Sequence, residues 1–159
     1  MSATPVNRST KCPMLVRMFC RQGAHHRLDD YGKGRQPPVK DEIDVHTWPD
    51  ATLRELSDLV KEVSQYARRK DVCMSFQLVY QDLHGVYRAK PIGHVGGDGK
   101  DDEVSLERVR FIQGDFIDIA LISGDDAAKD SRSDGRQDDR KEPYPSHRSH
   151  DPNRGQRRF

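Results

Sequence analysis

The stretch from Asp41 to Lys70 leaves this chain few ways to fold. Ile43, Val45 and Thr47 alternate with Glu42, Asp44 and His46, the two-residue period of a half-buried strand. Trp48-Pro49 ends that ladder, because Pro49 has no N–H to donate and fixes its own φ. A helix is predicted next, over Leu53 to Arg69. Thr52 and Glu55 have the spacing of a capping box, and Ala51 and Leu56 occupy the hydrophobic-staple positions. Leu53, Leu56, Leu59, Val60, Val63 and Ala67 make one apolar stripe; Arg54, Asp58, Lys61, Glu62 and Gln65 fall mostly opposite. Arg68, Arg69 and Lys70 close the helix where its dipole favours cations. No other stretch has a helix of this quality. The remaining apolar segments are therefore expected to be strands laid against the stripe.

Those segments are readable. Cys12 to Cys20 predicts a strand with apolar residues on both faces, as at the centre of a sheet. Arg21 to Lys40 is a long connection rich in Gly, Pro and charge, and a loop of that length in a compact domain packs on or binds something. Val72 to Tyr80 is a strand with Met74, Phe76, Leu78 and Tyr80 toward the core. Val86 to Ile92 is a weaker strand, and Pro91 suits it to an edge. Gly93 to Asp102 is a glycine-rich acidic loop, Val104 to Phe111 is a helical turn or irregular, and Phe116 to Ile122 is the last strand. One helix across a small mixed sheet is an α+β two-layer domain. A ubiquitin-like β-grasp is the simplest known fold with this element order, and it sets the first and last strands side by side.

Hydrophobic residues make up only 33% of the chain, yet they concentrate between Cys12 and Ile122. The expected organisation is a disordered arm over residues 1–11, a folded domain over 12–122 and a disordered mixed-charge tail over 123–159. A net charge of +1 argues against bulk electrostatic attraction to nucleic acid or a membrane surface. Three cysteines without framework spacing read as reduced thiols of an intracellular protein. The first residues lack the apolar core of a signal peptide, and no apolar run nears the roughly 20 residues that span a bilayer.

Several separated motifs occur in one recognisable order. They are Cys12-Pro13, the strand Leu15 to Phe19, His25-His26, Trp48 to Leu56 with Leu59 to Val63, and Phe111 to Ala120. Together they resemble the eighteen-kilodalton Sin-associated polypeptide family over about Cys12 to Leu121. The resemblance implies a ubiquitin-like fold with insertions and a nuclear adaptor without catalytic activity or cofactor. It implies protein partners in two settings. One is the Sin corepressor complex with histone deacetylases. The other is the apoptosis-and-splicing-associated complex, with Acinus or Pinin and a serine-rich RNA-binding protein, which joins the exon-junction complex. It also implies residence in the nucleus and its speckles, with some of the protein cytoplasmic. The polar tail and the loop at Gly93 to Asp102 depart from the family's pattern.

Gly96-Gly97-Asp98-Gly99-Lys100 invites a phosphate-loop reading, but His94 stands where the first Gly is required and Asp101 where Ser or Thr is. Cys12 and Cys20, eight residues apart on one extended strand, lie about 26 Å apart at roughly 3.3 Å per residue and cannot share a metal. A Cys-His hydrolase would need an activated thiolate, whereas these thiols sit in strands that pack a core. No Gly-Gly terminates the last strand, so ubiquitin-like conjugation is not expected. Direct RNA binding is the main alternative, through Arg132, Arg136, Arg140, Arg148, Arg154, Arg157 and Arg158, but the tail's aspartates balance these charges.

An adaptor needs a surface. Tyr31, Trp48, Tyr87 and Phe111 are the candidate exposed aromatics, with Arg88 beside Tyr87, since aromatic residues and arginine anchor interfaces. The edge strand Val86 to Ile92 is expected to offer backbone groups to an added partner strand.

Overall fold

A computed structural model describes residues 5–32 and 35–124. Five strands form one sheet: β1 (Met14–Gln22), β2 (Glu42–Thr47), β3 (Val72–Gln81), β4 (Tyr87–Val95) and β5 (Phe116–Ser123), in the order β2-β1-β5-β3-β4. β1 and β5 run parallel at the centre, and the other pairs are antiparallel. One helix, α1 (Leu53–Val63), crosses one face. This is the ubiquitin-like α+β arrangement that the order of apolar segments predicts.

The helix begins as its sequence dictates. The Thr52 side chain accepts from the Glu55 N–H at 3.3 Å, and the Thr52 N–H donates to the Glu55 carboxylate at 3.1 Å. Leu53, Leu56 and Val60 are buried against Val16, Met18, Phe76, Ile117 and Ile119 of the sheet. The helix ends earlier than predicted, at Val63 rather than Arg69. Ser64 turns extended, and its hydroxyl accepts the Ala67 N–H, starting a separate 3-10 turn over Tyr66–Arg68. The Arg68 guanidinium folds back onto the carbonyls of Lys61 (2.5 Å) and Glu62 (2.7 Å), which the helix end leaves without intrahelical donors. Val63, assigned to the buried stripe by its spacing, is consequently 64% exposed.

Residues 104–111 have no regular structure but are firmly tied to the helix start. Leu53 N–H donates to the Val104 carbonyl, Leu106 N–H to Ala51, and Glu107 N–H to Pro49, at 2.8, 3.0 and 2.8 Å. Leu106 is fully buried in the core. At Gly93 (φ +151°) an added Cβ would stand 2.8 Å from Asp101 Cβ and 2.9 Å from Leu53 Cδ1, so only glycine lets the loop at 96–103 close over the end of β4.

The other face of the sheet is not bare. Phe19 of β1, Val79 of β3 and Phe116 of β5 form a second small core, and Tyr31 from the long β1–β2 connection seals it. Phe116 stacks on Tyr31, with ring centroids 5.5 Å apart, and Phe19 meets both rings edge-on. The connection therefore packs as its length suggested.

Candidate protein-binding site

The back face is organised by one buried carboxylate. Asp118 sits mid-way along central strand β5, on the side away from α1, with no exposed surface. One oxygen takes hydrogen bonds from His26 Nδ1 at 2.6 Å and the Tyr31 hydroxyl at 3.0 Å. The other takes His25 Nδ1 at 2.6 Å and the His26 backbone N–H at 3.2 Å. His26 Nε2 reaches on to Asp41 at 2.9 Å. The start of the connection, its tyrosine and its last turn thus converge on one central-strand side chain.

The charges follow from this geometry. Burial drives the Asp118 pKa up, but hydrogen bonds and charge from His25 and His26 hold it below the ordinary carboxylate value. Burial likewise opposes charge on His26, and its two carboxylate partners outweigh it, leaving the pKa raised. With carboxylates on both ring nitrogens, His26 is a doubly protonated donor. Burial and the Asp118 charge keep the Tyr31 hydroxyl protonated, and burial with the same charge pushes the Cys20 thiol up to about 12. Neither Cys20 nor half-buried Cys73 has the electropositive setting that activates a thiol.

His25 Nε2 lies 2.9 Å from the Ser75 hydroxyl, so Ser75, His25 and Asp118 have the connectivity of a hydrolytic triad. The rest of such a site is not built. Ser75 is in the middle of β3, paired with His94 on one side and Ala120 on the other, so the ladders on both sides engage the backbone around it. An oxyanion needs free N–H groups beside the nucleophile. The array is a clamp that fastens the connection to the sheet.

The aromatic residues expected to make a surface are scattered. Tyr31 is only 2% exposed and belongs to the clamp. Tyr87 is half-buried against Phe116, 6.1 Å between ring centroids. Arg88 beside it is exposed and pairs with Asp82 at 3.1 Å. Phe111 packs partly buried on the helix-side core. Trp48 is half-buried at the corner before α1, where its indole N–H donates to the Lys11 carbonyl at 2.6 Å and Arg8 lies 5.3 Å above its ring. Residues 5–11, read as part of a polar arm, run along the helix start, and Arg8 also reaches Asp50 and Glu55 at 3.2 Å. A shallow groove of about 300 Å³ opens between Leu28 and Gly32 of the connection and Gly85, Val86 and Tyr87. The tail arginines of the RNA-binding alternative lie outside the described residues.

Asp118, His25 and His26 were the residues hardest to value from sequence. The available signal was Asp118 itself: an aspartate inside Phe116-Ile117-Asp118-Ile119-Ala120 must be buried, and a buried carboxylate requires donors.

Fold and site together define a ubiquitin-like α+β domain whose polar centre is structural, the form of a binding module. The chain belongs to the Sin3 associated polypeptide p18 (SAP18) family, whose sequence profile matches residues 5–121. That family is one of non-catalytic adaptors. The chain is similar to a protein of Arabidopsis thaliana named histone deacetylase complex subunit SAP18, 42% identical over 122 residues, covering 74% of this chain and 79% of the relative. Proteins of the same name from Mus musculus and Drosophila melanogaster are 42% and 37% identical, over 74% and 73% of this chain and 78% of each relative.

Proposed function

We propose that this chain is an adaptor subunit of a histone deacetylase corepressor complex of the Sin type, acting in the nucleus to support transcriptional repression. The observation that supports this reading is the similarity along residues 5–121 to relatives that are named as subunits of such a complex. The motifs from Trp48 to Leu56 and Phe111 to Ala120 support a second setting for the same domain. There it joins an Acinus- or Pinin-type scaffold and a serine-rich RNA-binding protein in the apoptosis-and-splicing-associated complex, and through it the exon-junction complex. RNA is then met through protein partners. Of the residues proposed for partner contact, Trp48, Tyr87, Arg88 and the partly buried Phe111 have accessible surface, while Tyr31 supports Tyr87 from beneath.

The test is affinity purification of the tagged full chain from nuclear extract, with and without nuclease, followed by protein identification. Recovery of a deacetylase with a Sin-type scaffold after nuclease treatment is the expected result. A partner set that disappears with the RNA would overturn the adaptor reading in favour of direct RNA binding.

A further inference from the structure

The two edges of the sheet differ in a way that decides where another strand can add. β4 is the edge that the sequence singles out, and it is blunted along its length. Pro91 has no N–H. The register slips between Phe76 and Gln77, which face Gly93 and Pro91 and leave Ile92 as an extra residue. The His94 N–H is already taken by the Asp101 carboxylate at 3.0 Å. The 96–103 loop closes over the same end. These are the devices by which sheets protect an edge.

β2 has none of them. Its six residues pair with Met14 to Phe19 of β1 in unbroken register, with no proline, glycine or bulge. Beyond that ladder the Glu42 N–H donates to the Val39 carbonyl, and the backbone groups from Ile43 to Thr47 have no partner among the described residues. The two faces of this edge differ in chemistry. Toward the helix stand Ile43 and Val45, each only partly buried. There Ile43 and the exposed Val63, with Cys20 and Leu121, form the apolar part of a groove of about 580 Å³ between the start of β2, the ends of β1 and β5 and the end of α1. Arg21, Lys40, Asp41 and Glu42 form its charged part. The early end of the helix is what leaves Val63 there. Toward the back face stand Glu42, Asp44 and His46. Glu42 is paired with Arg17, which also stands opposite Asp44 in the ladder and feels its charge, but Asp44 is exposed and has no ion pair within 4 Å among the described residues.

We infer that the outer edge of β2 takes an extended partner segment of about six residues in which aliphatic side chains alternate with lysine or arginine. The aliphatic side chains fill the groove at Ile43 and Val63, the cations meet Asp44, and main-chain hydrogen bonds continue the sheet. This rests on the adaptor reading and specifies the chemistry of one of its partners. A second copy of the chain fits poorly, because antiparallel pairing of β2 with itself centred on Ile43 or Asp44 sets Asp44 opposite Glu42 or its own copy, and the strand has no lysine or arginine to meet it. The chain's own residues 125–159 contain no aliphatic–basic alternation.

The probe is a fluorescein-labelled hexapeptide, Lys-Val-Lys-Ile-Lys-Val, titrated into the full chain by anisotropy, with a composition-matched peptide that segregates its lysines from its aliphatics as control. Two further versions carry N-methyl groups on alternate residues, each blocking one hydrogen-bonding edge. The expected result is that Asp44→Lys and Val63→Asp each weaken binding at least tenfold, Lys90→Ala on the exposed β4 edge leaves it unchanged, and only one N-methylated version loses binding. Absence of binding, equal binding of the control peptide, insensitivity to Asp44→Lys, or insensitivity to both N-methyl patterns would each overturn the inference. Urea melts of the variants confirm that they are folded. If the hexapeptide binds β2 while purification recovers no deacetylase, the adaptor reading fails and the strand site stands; the converse pair of results removes the strand site alone.

Discussion

His26 bridges Asp118 and Asp41, with Nδ1 2.6 Å from the first carboxylate and Nε2 2.9 Å from the second. Asp118 belongs to the central strand and Asp41 to the turn just before β2, so one imidazolium pins both ends of the connection to the sheet. Asp118 receives four donors and has no exposed surface in which a lost one could be replaced by water. Asp118→Asn keeps the volume but turns half of the acceptor into a donor facing donors. We expect a loss of about 3–5 kcal/mol, the usual cost of breaking a buried charged pair on one side. Equilibrium urea unfolding of the two proteins measures it, and a midpoint equal to wild type would show that the clamp contributes nothing.

The same clamp sets a pH window. The His26 pKa is raised: burial opposes its charge, and the hydrogen bonds to Asp118 and Asp41 outweigh it. A raised histidine contributes stability that is complete below its unfolded value of about 6.5 and is lost as pH rises through the folded value. The Asp118 pKa is lowered: burial pushes it up and the histidine hydrogen bonds pull it further down. Its contribution is present above about 3.9 and is lost as pH falls through the folded value. The other titratable groups facing the pair are His25, Tyr31, Asp41 and Cys20, and the tyrosine and thiol stay neutral throughout. Stability is therefore expected to be level from about pH 4 to 6.5 and to decline above. His26→Gln should remove the alkaline decline. Parallel slopes for the two proteins above pH 6.5 would refute the assignment of charge to His26.

The helix makes a sharper comparison. Leu56 is fully buried under the sheet, so Leu56→Ala should cost about 2–5 kcal/mol. Thr52→Ala removes the acceptor for the Glu55 N–H and should cost about 1 kcal/mol. Val63→Ala, at a position the periodicity placed in the same stripe, should stay within about 0.5 kcal/mol of wild type. Urea midpoints rank the three, and a Val63 effect as large as that of Leu56 would restore the longer helix.

These elements show what a sequence exposes and what it hides. Thr52 and Glu55 act within four residues, so the helix start was legible. The helix end was not, because it depends on Arg68 folding back onto Lys61 and Glu62 rather than on any stop residue. Strand alternation gave Met74, Phe76, Leu78, Ile117 and Ile119 their buried side, since period and burial are one fact in a strand. Tyr31 looked exposed because its loop is polar; its burial depends on Phe19, Phe116 and Asp118, the last 87 positions away. Edge quality was half legible. Pro91 marked β4 as an edge, but the carboxylate that caps it, and the backbone groups from Ile43 to Thr47 that no described residue caps, exist only in three dimensions.

Trp48 is the chain's single tryptophan, and it reports on the arm before β1. Its indole N–H is held by the Lys11 carbonyl, and Arg8 covers its ring while paired with Asp50 and Glu55. With the guanidinium and the carbonyl in place the ring is half-buried, and without them more of it would meet water. Deleting residues 1–11 should therefore shift Trp48 emission to the red and raise its quenching by acrylamide, leaving the circular dichroism of the sheet unchanged. Arg8→Ala should reproduce most of the shift. Arg8→Lys should give an intermediate value, because an ammonium keeps the charge but not the planar stack. High salt should move the wild-type spectrum toward that of Arg8→Ala, since both ion pairs are partly exposed and screened. Trp48 is also one of the residues proposed to touch partners, so arm removal should raise its availability to them. Identical emission and quenching with and without the arm would show that Arg8 and Lys11 do not cover the indole in solution, and the corner would then stand open in the intact chain.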